Sequence, residues 1–206
     1  MALGPRFLDA PQGSDLWFEH RAGHATASRF IDIISSQASR DAYMWQLVAE
    51  RLAGIGRDSG GRAKEWGHES EPLARREYSI RTGHRPIEVG FAVHGRIKWL
   101  GCSSDGLVGD EGSIEIKSPF NHGIHARTLA LGMPEEHKPQ TQGNLWVLER
   151  KWIDFNSFDP SFPEPYNLFV EHFERDEKYI KYLEGEVKKF LAEVAIAVKD
   201  IKAKYN

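Results

Sequence analysis

The sequence predicts an α/β (α+β) fold, with a central mixed β-sheet flanked by helices and a long C-terminal helix. Short β-rich runs punctuated by glycine occupy the middle of the chain, from about 86 to 173. Stretches of helical composition stand on both sides of them. From Asp176 onward, Ile180, Leu183, Val187, Phe190, Leu191, Val194, Val198 and Ile201 recur at helical spacing, as on an amphipathic helix packed against a core. Helices, strands, helix, strands and helix in that order place helices against a mixed sheet.

Element by element, "SDLWFEHRAG" and "TASRFIDIISS" read as two short helices separated by Gly23. The second carries Phe30, Ile31, Ile33 and Ile34, with Thr26 or Ser28 available as its cap. Residues 40–53 predict a helix with Tyr43, Leu47 and Leu52 on or near one face. "GIGRDSGGR" (54–62) reads as a flexible loop. Residues 63–83 are helical in composition and stop at Gly83, and Pro72 either opens a helix or kinks a longer one. "PIEVGFAVHG", "WLGCSSDGLVG" and "SIEIKSP" predict a three-stranded meander. Residues 134–149 return to helix, and 151–160 and "YNLFVEHFER" to strand. The expected organisation is a single domain over 1–206: a helical part about 14–83, the sheet core about 86–173 and the last helix about 176–205.

With 206 residues, 40% hydrophobic and 28% charged, the chain can bury a sizeable core. No apolar run approaches the ~18–20 residues of a membrane span. The first residues lack the charged start and apolar stretch of a signal peptide. Cys102 is the only cysteine, which rules out an internal disulfide and a thiolate metal cage within one chain. A reduced, cytoplasmic setting is the expectation. The net charge of −3 argues against a uniformly basic surface but leaves local nucleic-acid binding open, because binding follows local potential.

The stretch "GCSSDGLVGDEGSIEIKSP" (101–119) is the candidate for chemistry. Side chains alternate along a strand, so Ile114 and Ile116 enter a core while Glu115 and Lys117 share the opposite face. A turn at "GDEG" (109–112) brings Asp105 back toward them. Adjacent carboxylates repel unless a cation stands between them, and oxygen ligands suit Mg²⁺ or Mn²⁺ rather than zinc. Such a metal lowers the pKa of bound water and steadies charge on a phosphoryl oxygen. Lys117 would orient water or phosphate as a movable point charge. The bland alternative is a solvated hairpin with a neighbouring Glu–Lys pair.

The pattern D-x9-E-x-K follows a W-G-x-x-x-E from Trp66 to Glu71. Together with "LWFEHRAGHATAS", "AKEWGHESE", "HKPQTQGNLWV" and "ERDEKYI", it resembles the lambda exonuclease family (YqaJ-like phage recombination exonucleases) of the PD-(D/E)xK nuclease superfamily. The likeness runs from about Ser14 to the end of the chain. It implies a restriction-endonuclease-like core. It aligns Glu71, Asp105 and Glu115 with the metal-binding acids, the carbonyl of Ile116 with a further ligand, Lys117 with the catalytic lysine and Gln140 with a glutamine near the scissile phosphate. Ser104 stands where the superfamily name carries proline, a change in turn shape more than chemistry. Glu69, two residues from Glu71, competes as ligand, and the W-G-x-x-x-E spacing favours Glu71.

Three carboxylates against two divalent ions leave one positive charge for a phosphodiester to neutralise. Water would attack phosphorus in line and the 3′ oxygen would leave, releasing a 5′-mononucleotide. "HRAGHATAS" supplies Arg21, then Thr26 and Ser28 at a helix start, where unpaired N–H groups favour phosphate. By itself this is an ordinary capped helix with a surface arginine. The resemblance assigns Arg21 and Ser28 to the terminal 5′-phosphate and places Ser103 nearby.

Arg51, Arg57, Arg62, Lys64, Arg75, Arg76, Arg81 and Arg85 make residues 51–85 basic, with Arg62 and Lys64 the first candidates for DNA backbone contact. His122 and His125 read as loop or surface, and Trp17, Trp45, Trp66, Trp146 and Trp152 as mostly core. No Gly-Lys-Ser/Thr follows the glycines of 54–61, so no ATP site is visible.

The resulting expectation is a Mg²⁺-dependent 5′→3′ exonuclease on double-stranded DNA ends, from a phage or prophage. The resemblance adds a ring-shaped homotrimer and a single-strand annealing partner. An endonuclease or repair nuclease on the same core, and a DNA-end-binding module without chemistry, are the alternatives.

Overall fold

The computed structural model describes residues 4–56 and 61–205, with backbone alone at positions 63 and 64. The α/β class is as predicted, but the strands fall into two four-stranded sheets rather than one. The first has the order β1-β3-β4-β2, from β1 (Arg6–Leu8), β2 (Ala25–Thr26), β3 (Phe91–Val93) and β4 (Leu100–Cys102). The second has the order β5-β6-β7-β8, from β5 (Gly106–Val108), β6 (Gly112–Lys117), β7 (Trp152–Phe158) and β8 (Leu168–Glu174). Each sheet is mixed, because β2 runs parallel to β4 and β6 parallel to β7.

The expected meander is therefore two hairpins divided at Ser103–Asp105. The chain parts there because Ser104, fully buried, uses its hydroxyl to donate to the Gly106 and Ile114 carbonyls at 3.1 and 3.4 Å. Gln12 holds the Ser104 carbonyl at 2.9 Å. β5 then pairs with β6 only from Gly106↔Ile114 to Val108↔Gly112, and the last residues of β6 extend past it.

Helices α1 (Asp15–Arg21), α2 (Phe30–Ile34), α3 (Gln37–Ala53), α4 (Arg62–Thr82), α5 (His122–Leu131), α6 (Lys138–Leu148) and α7 (Glu177–Tyr205) complete the fold. α6 packs on β3 and β4 of one sheet and β7 of the other, and nearly all of it is buried. A Cβ on Gly143 would come within 2.6 Å of the Phe30 ring, so only glycine admits that approach of α6 to α2. α4 lies on the other side of β6, where Ala74 and Tyr78 form a small core with Ile114, Ile116 and Phe158. The larger core joins α2, α3, α6 and the predicted α7 stripe through Ile180, Leu183, Val187, Phe190 and Val194.

Several expectations change. The second predicted helix is a short strand, a 3₁₀ turn (Ala27–Arg29) and five residues of α2, and no side chain caps that turn. Helix α3 begins at its Ser36 cap, three residues earlier than expected, and Leu52 is exposed. α4 passes through Pro72 without ending and stops at Gly83, which takes the left-handed conformation at φ 76°. The expected loop at 54–62 gives its last residue, Arg62, to α4, and 57–60 lie outside the described residues. His125 is fully buried in α5, between the Ser157 hydroxyl and the Tyr166 carbonyl, so it is no surface residue. Trp45 is exposed rather than core. α5 itself was not expected; its signals are the Asn121 cap and the stop at Gly132. Among the described residues no helix is long and apolar enough to cross a membrane.

Candidate active site

The parting of β4 from β5 creates the site. β6 continues past Ile114 without a strand on that edge, and the Asp105 carboxylate turns in to accept the Ile116 N–H at 2.6 Å. A residue's N–H and C=O leave a strand on the same side. The Ile116 carbonyl therefore faces the same notch, and Ile116 and Glu71 line one cavity there. Ser118 also lines it, and its buried hydroxyl has no partner among the described residues. The protein alone leaves that polar atom unpaired, which suits a polar ligand.

Glu115 points to the opposite face of β6, toward α6, and is 2% exposed. Its Oε1 accepts from Lys117 Nζ at 2.7 Å and from Gln140 Nε2 at 2.5 Å, and its Oε2 from Asn144 Nδ2 at 2.9 Å. Lys117 also donates to Gln140 Oε1 at 2.9 Å. Gln140 and Asn144 lie one turn apart on α6, so one helix face meets one carboxylate. Glu71 sits on α4 and pairs with Arg75, which also donates to the Asp105 carbonyl at 3.1 Å and pairs with Glu88. Glu69 is exposed, so of the two neighbouring acids Glu71 is the one at the cavity.

Glu71, Asp105 and Glu115 thus face the cations Lys117 and Arg75, and Arg75 is shared with Glu88. Burial, then the charges of Glu115 and Glu71, push the Asp105 carboxyl well above the usual range, against the lowering effects of Lys117 and the Ile116 N–H. Burial works against the Lys117 ammonium, but Glu115 and Asp105 outweigh it and hold its pKa above normal. In the metal-free protein Lys117 is therefore a charged donor at neutral pH.

The donors fit a divalent cation by their chemistry: carboxylate oxygens, the Ile116 carbonyl and the unpaired Ser118 hydroxyl are hard ligands. As the side chains stand, no three His, Cys, Asp or Glu among the described residues form a ready cage. Lys117 and the α6 amides instead hold Glu115, Arg75 holds Glu71 and the Ile116 N–H holds Asp105.

The same cavity, about 1100 Å³, reaches Arg21 and Ser28. Arg21 donates to Ser103 Oγ at 2.8 Å and lies 4.2 Å over the Trp17 ring. Burial lowers its pKa. Arg21 and Arg29 are the arginines in the cavity wall among the described residues; Arg29 pairs with Asp32, and Arg21 has no carboxylate in salt-bridge contact. The sequence did not show that Glu50 and Arg51, at the end of α3, clamp the Gly23 turn by accepting its N–H and donating to its carbonyl, both at 2.8 Å.

The basic run divides. Arg51 is held over Trp99 and by Gly23, Arg75 by Glu71, and Arg81 by the Pro165 and Leu168 carbonyls, so these three already have partners within the protein. Arg62, Arg76 and Arg85 are exposed. The Lys64 side chain and Arg57 lie outside the described residues.

The family model of the YqaJ-like viral recombinase domain matches residues 16–151, the span from α1 to the end of α6 that holds Arg21, Glu71, Asp105, Glu115, Lys117 and Gln140. The chain belongs to the YqaJ-like viral recombinase family. Its similarity extends to solved structures. An alkaline exonuclease (LHK-Exo) from Laribacter hongkongensis is 40% identical, with a TM-score of 0.89 over 93% of this chain and 98% of that one. The same enzyme in complex with dAMP matches equally well. A phage related exonuclease from Haemophilus somnus 129PT, 13% identical with a TM-score of 0.65 over 89% of this chain and 96% of that one, shares the fold. No curated protein matches. The YqaJ-like assignment agrees with the resemblance seen in the motifs.

Proposed function

We propose that this YqaJ-like protein is a Mg²⁺-dependent, ATP-independent exonuclease. It digests one strand of linear double-stranded DNA 5′→3′ from a phosphorylated end, releasing 5′-mononucleotides and leaving a 3′ single strand for recombination by annealing. One observation carries this: Arg21, Ser28, Glu71 and Ile116 line a single cavity, which supports an anion site and an acid site on one path. Family membership and the 40% identity to an alkaline exonuclease support a recombination exonuclease. That relative's complex with dAMP supports a site that accommodates a mononucleotide.

In this reading Arg21 grips the terminal 5′-phosphate through its fork, and the Ser103 and Ser28 hydroxyls complete the grip. Lys117 and Gln140 orient the scissile phosphate and the attacking water. Glu71, Asp105, Glu115 and the Ile116 carbonyl hold two Mg²⁺, or Mn²⁺ in their place. Bound there, the ions supply a nucleophile at neutral pH and offset the charge that develops on the phosphoryl oxygens. Arg62 and Lys64 stand at the start of α4 as contacts for the DNA backbone. A ring of three copies around DNA, a single-strand annealing partner and a phage-infected bacterial cytoplasm belong to the same reading.

The test uses linear duplexes labelled at the 5′ or the 3′ end, and a closed circle, with Mg²⁺ or EDTA and without ATP. Early release of the 5′ label as mononucleotide, only with Mg²⁺ and with the circle intact, is expected. Cleavage of the circle would mean an endonuclease, and no release from any substrate a binding module.

A further inference from the structure

We infer that Asn144 is a positioning residue for Glu115 and sets how tightly the acid cluster takes up a divalent cation. The inference rests on the metal-dependent reading above. Asn144 is completely buried on α6, and its amide N–H reaches Glu115 Oε2 at 2.9 Å. Lys117 and Gln140 both act on the other oxygen, Oε1. Without Asn144, the carboxylate would be held at one oxygen only and free to rotate about its last bond. With it, the plane of Glu115 is fixed by α6 at both ends.

The choice of residue follows from charge. An amide supplies an N–H without a positive charge, so it can orient Glu115 without competing with a bound cation. A lysine or arginine there would neutralise the ligand, and an acid would add a fourth carboxylate to a cluster already short of cations. An ionised carboxylate oxygen accepts more than one contact, so Asn144 leaves Oε2 with room for a metal. The orientation of the amide is fixed by the same partner, because reversing it would set Asn144 Oδ1 against a carboxylate oxygen.

Asn144 Oδ1 is itself buried with no partner among the described residues. An apolar side chain would avoid that loss, since a buried unpaired polar atom is destabilising. The position therefore favours the contact with Glu115 over stability. The neighbouring Gly143, pressed on Phe30, fixes α6 at this level and makes Asn144 a rigid support.

Metal-stripped parent, Asn144→Leu and Asn144→Ser proteins are titrated with Mn²⁺ by calorimetry, with melting followed in EDTA. Changes to groups that orient metal ligands weaken binding about 10- to 100-fold. Asn144→Leu should bind Mn²⁺ more weakly within that range, Asn144→Ser less so, and the Mn²⁺ midpoint for cleavage should rise in step. A lower melting temperature with unchanged Mn²⁺ affinity in the folded variants would show a merely structural role and overturn the inference, as would failure of both variants to fold. If the parent binds no Mn²⁺, the metal reading itself falls. Equal binding by parent and variants sinks only the role of Asn144.

Discussion

The Asp105 carboxylate accepts the main-chain N–H of Ile116 at 2.6 Å, at the point where β5 no longer accompanies β6. A side chain thus occupies the place of a strand. The substitution opens the edge of β6 and leaves a carboxylate in the gap with Glu115 and Glu71 as neighbours. Architecture and electrostatics have one cause here.

Asp105→Asn tests that tension. It keeps an acceptor for the Ile116 N–H but removes a charge that its neighbours oppose. Metal-free protein should melt no lower than the parent, and higher by a few degrees, since ~1 kcal/mol corresponds to about 2–4 °C at this size. Cleavage should vanish, and Mg²⁺ should raise the melting temperature of the parent more than that of the variant. Calorimetry with and without Mg²⁺ reads both effects.

Lys117→Met removes the ammonium between Glu115 and Gln140 while keeping the apolar stem. The expected loss of nucleotide release is at least about 100-fold, the usual scale for a group that stabilises developing charge. Single-turnover assays at saturating Mg²⁺ measure it, and parental rates in the variant would remove Lys117 from the chemistry.

Arg21→Ala should act on the end of the substrate rather than on the reaction. Hydrogen bonds to charged groups contribute about 1.5–3 kcal/mol, so the preference for a 5′-phosphate over a 5′-hydroxyl should fall by roughly 10- to 100-fold. Competition between the two duplexes detects this. Undiminished preference would place the end pocket elsewhere.

His24 gives the fold an acid limit. Burial first, and the Arg51 charge, lower its pKa to about 4, so it stays neutral between Phe91 and Trp99. The unfolded chain takes up this proton near pH 6.5, the folded one only near 4. Its contribution is therefore complete above pH 6.5 and is lost as pH falls from 6.5 toward 4. On the order of 1–3 kcal/mol is at stake, after allowance for partial exposure. Urea unfolding at several pH values should show a shallower acid decline for His24→Phe.

Gly143→Ala should destabilise the protein by about 1–3 kcal/mol, the usual cost of overpacking, because the new methyl meets the Phe30 ring at 2.6 Å. Urea denaturation measures it. Cleavage should fall as well, since Gln140 and Asn144 ride on the same helix.

The sequence by itself determined which residues carry charge at which spacing, and local spacing was enough for much of the fold. The α7 stripe, the stop at Gly83 and the Asp105–Glu115–Lys117 hairpin follow from side-chain period and turn chemistry, which act over a few residues. The division of the meander into two sheets depended on Ser104, whose partners Gln12 and Ile114 come from other elements. The inward turn of Arg75 and Arg81, the burial of His125 and the hold of Asn144 on Glu115 were likewise decided by tertiary structure. A charged or amide side chain reads the same in sequence whether it faces water or a carboxylate. Only the placement of α4 against Ile114 and Ile116 and of the α6 amides against Glu115 fixes which of these it meets.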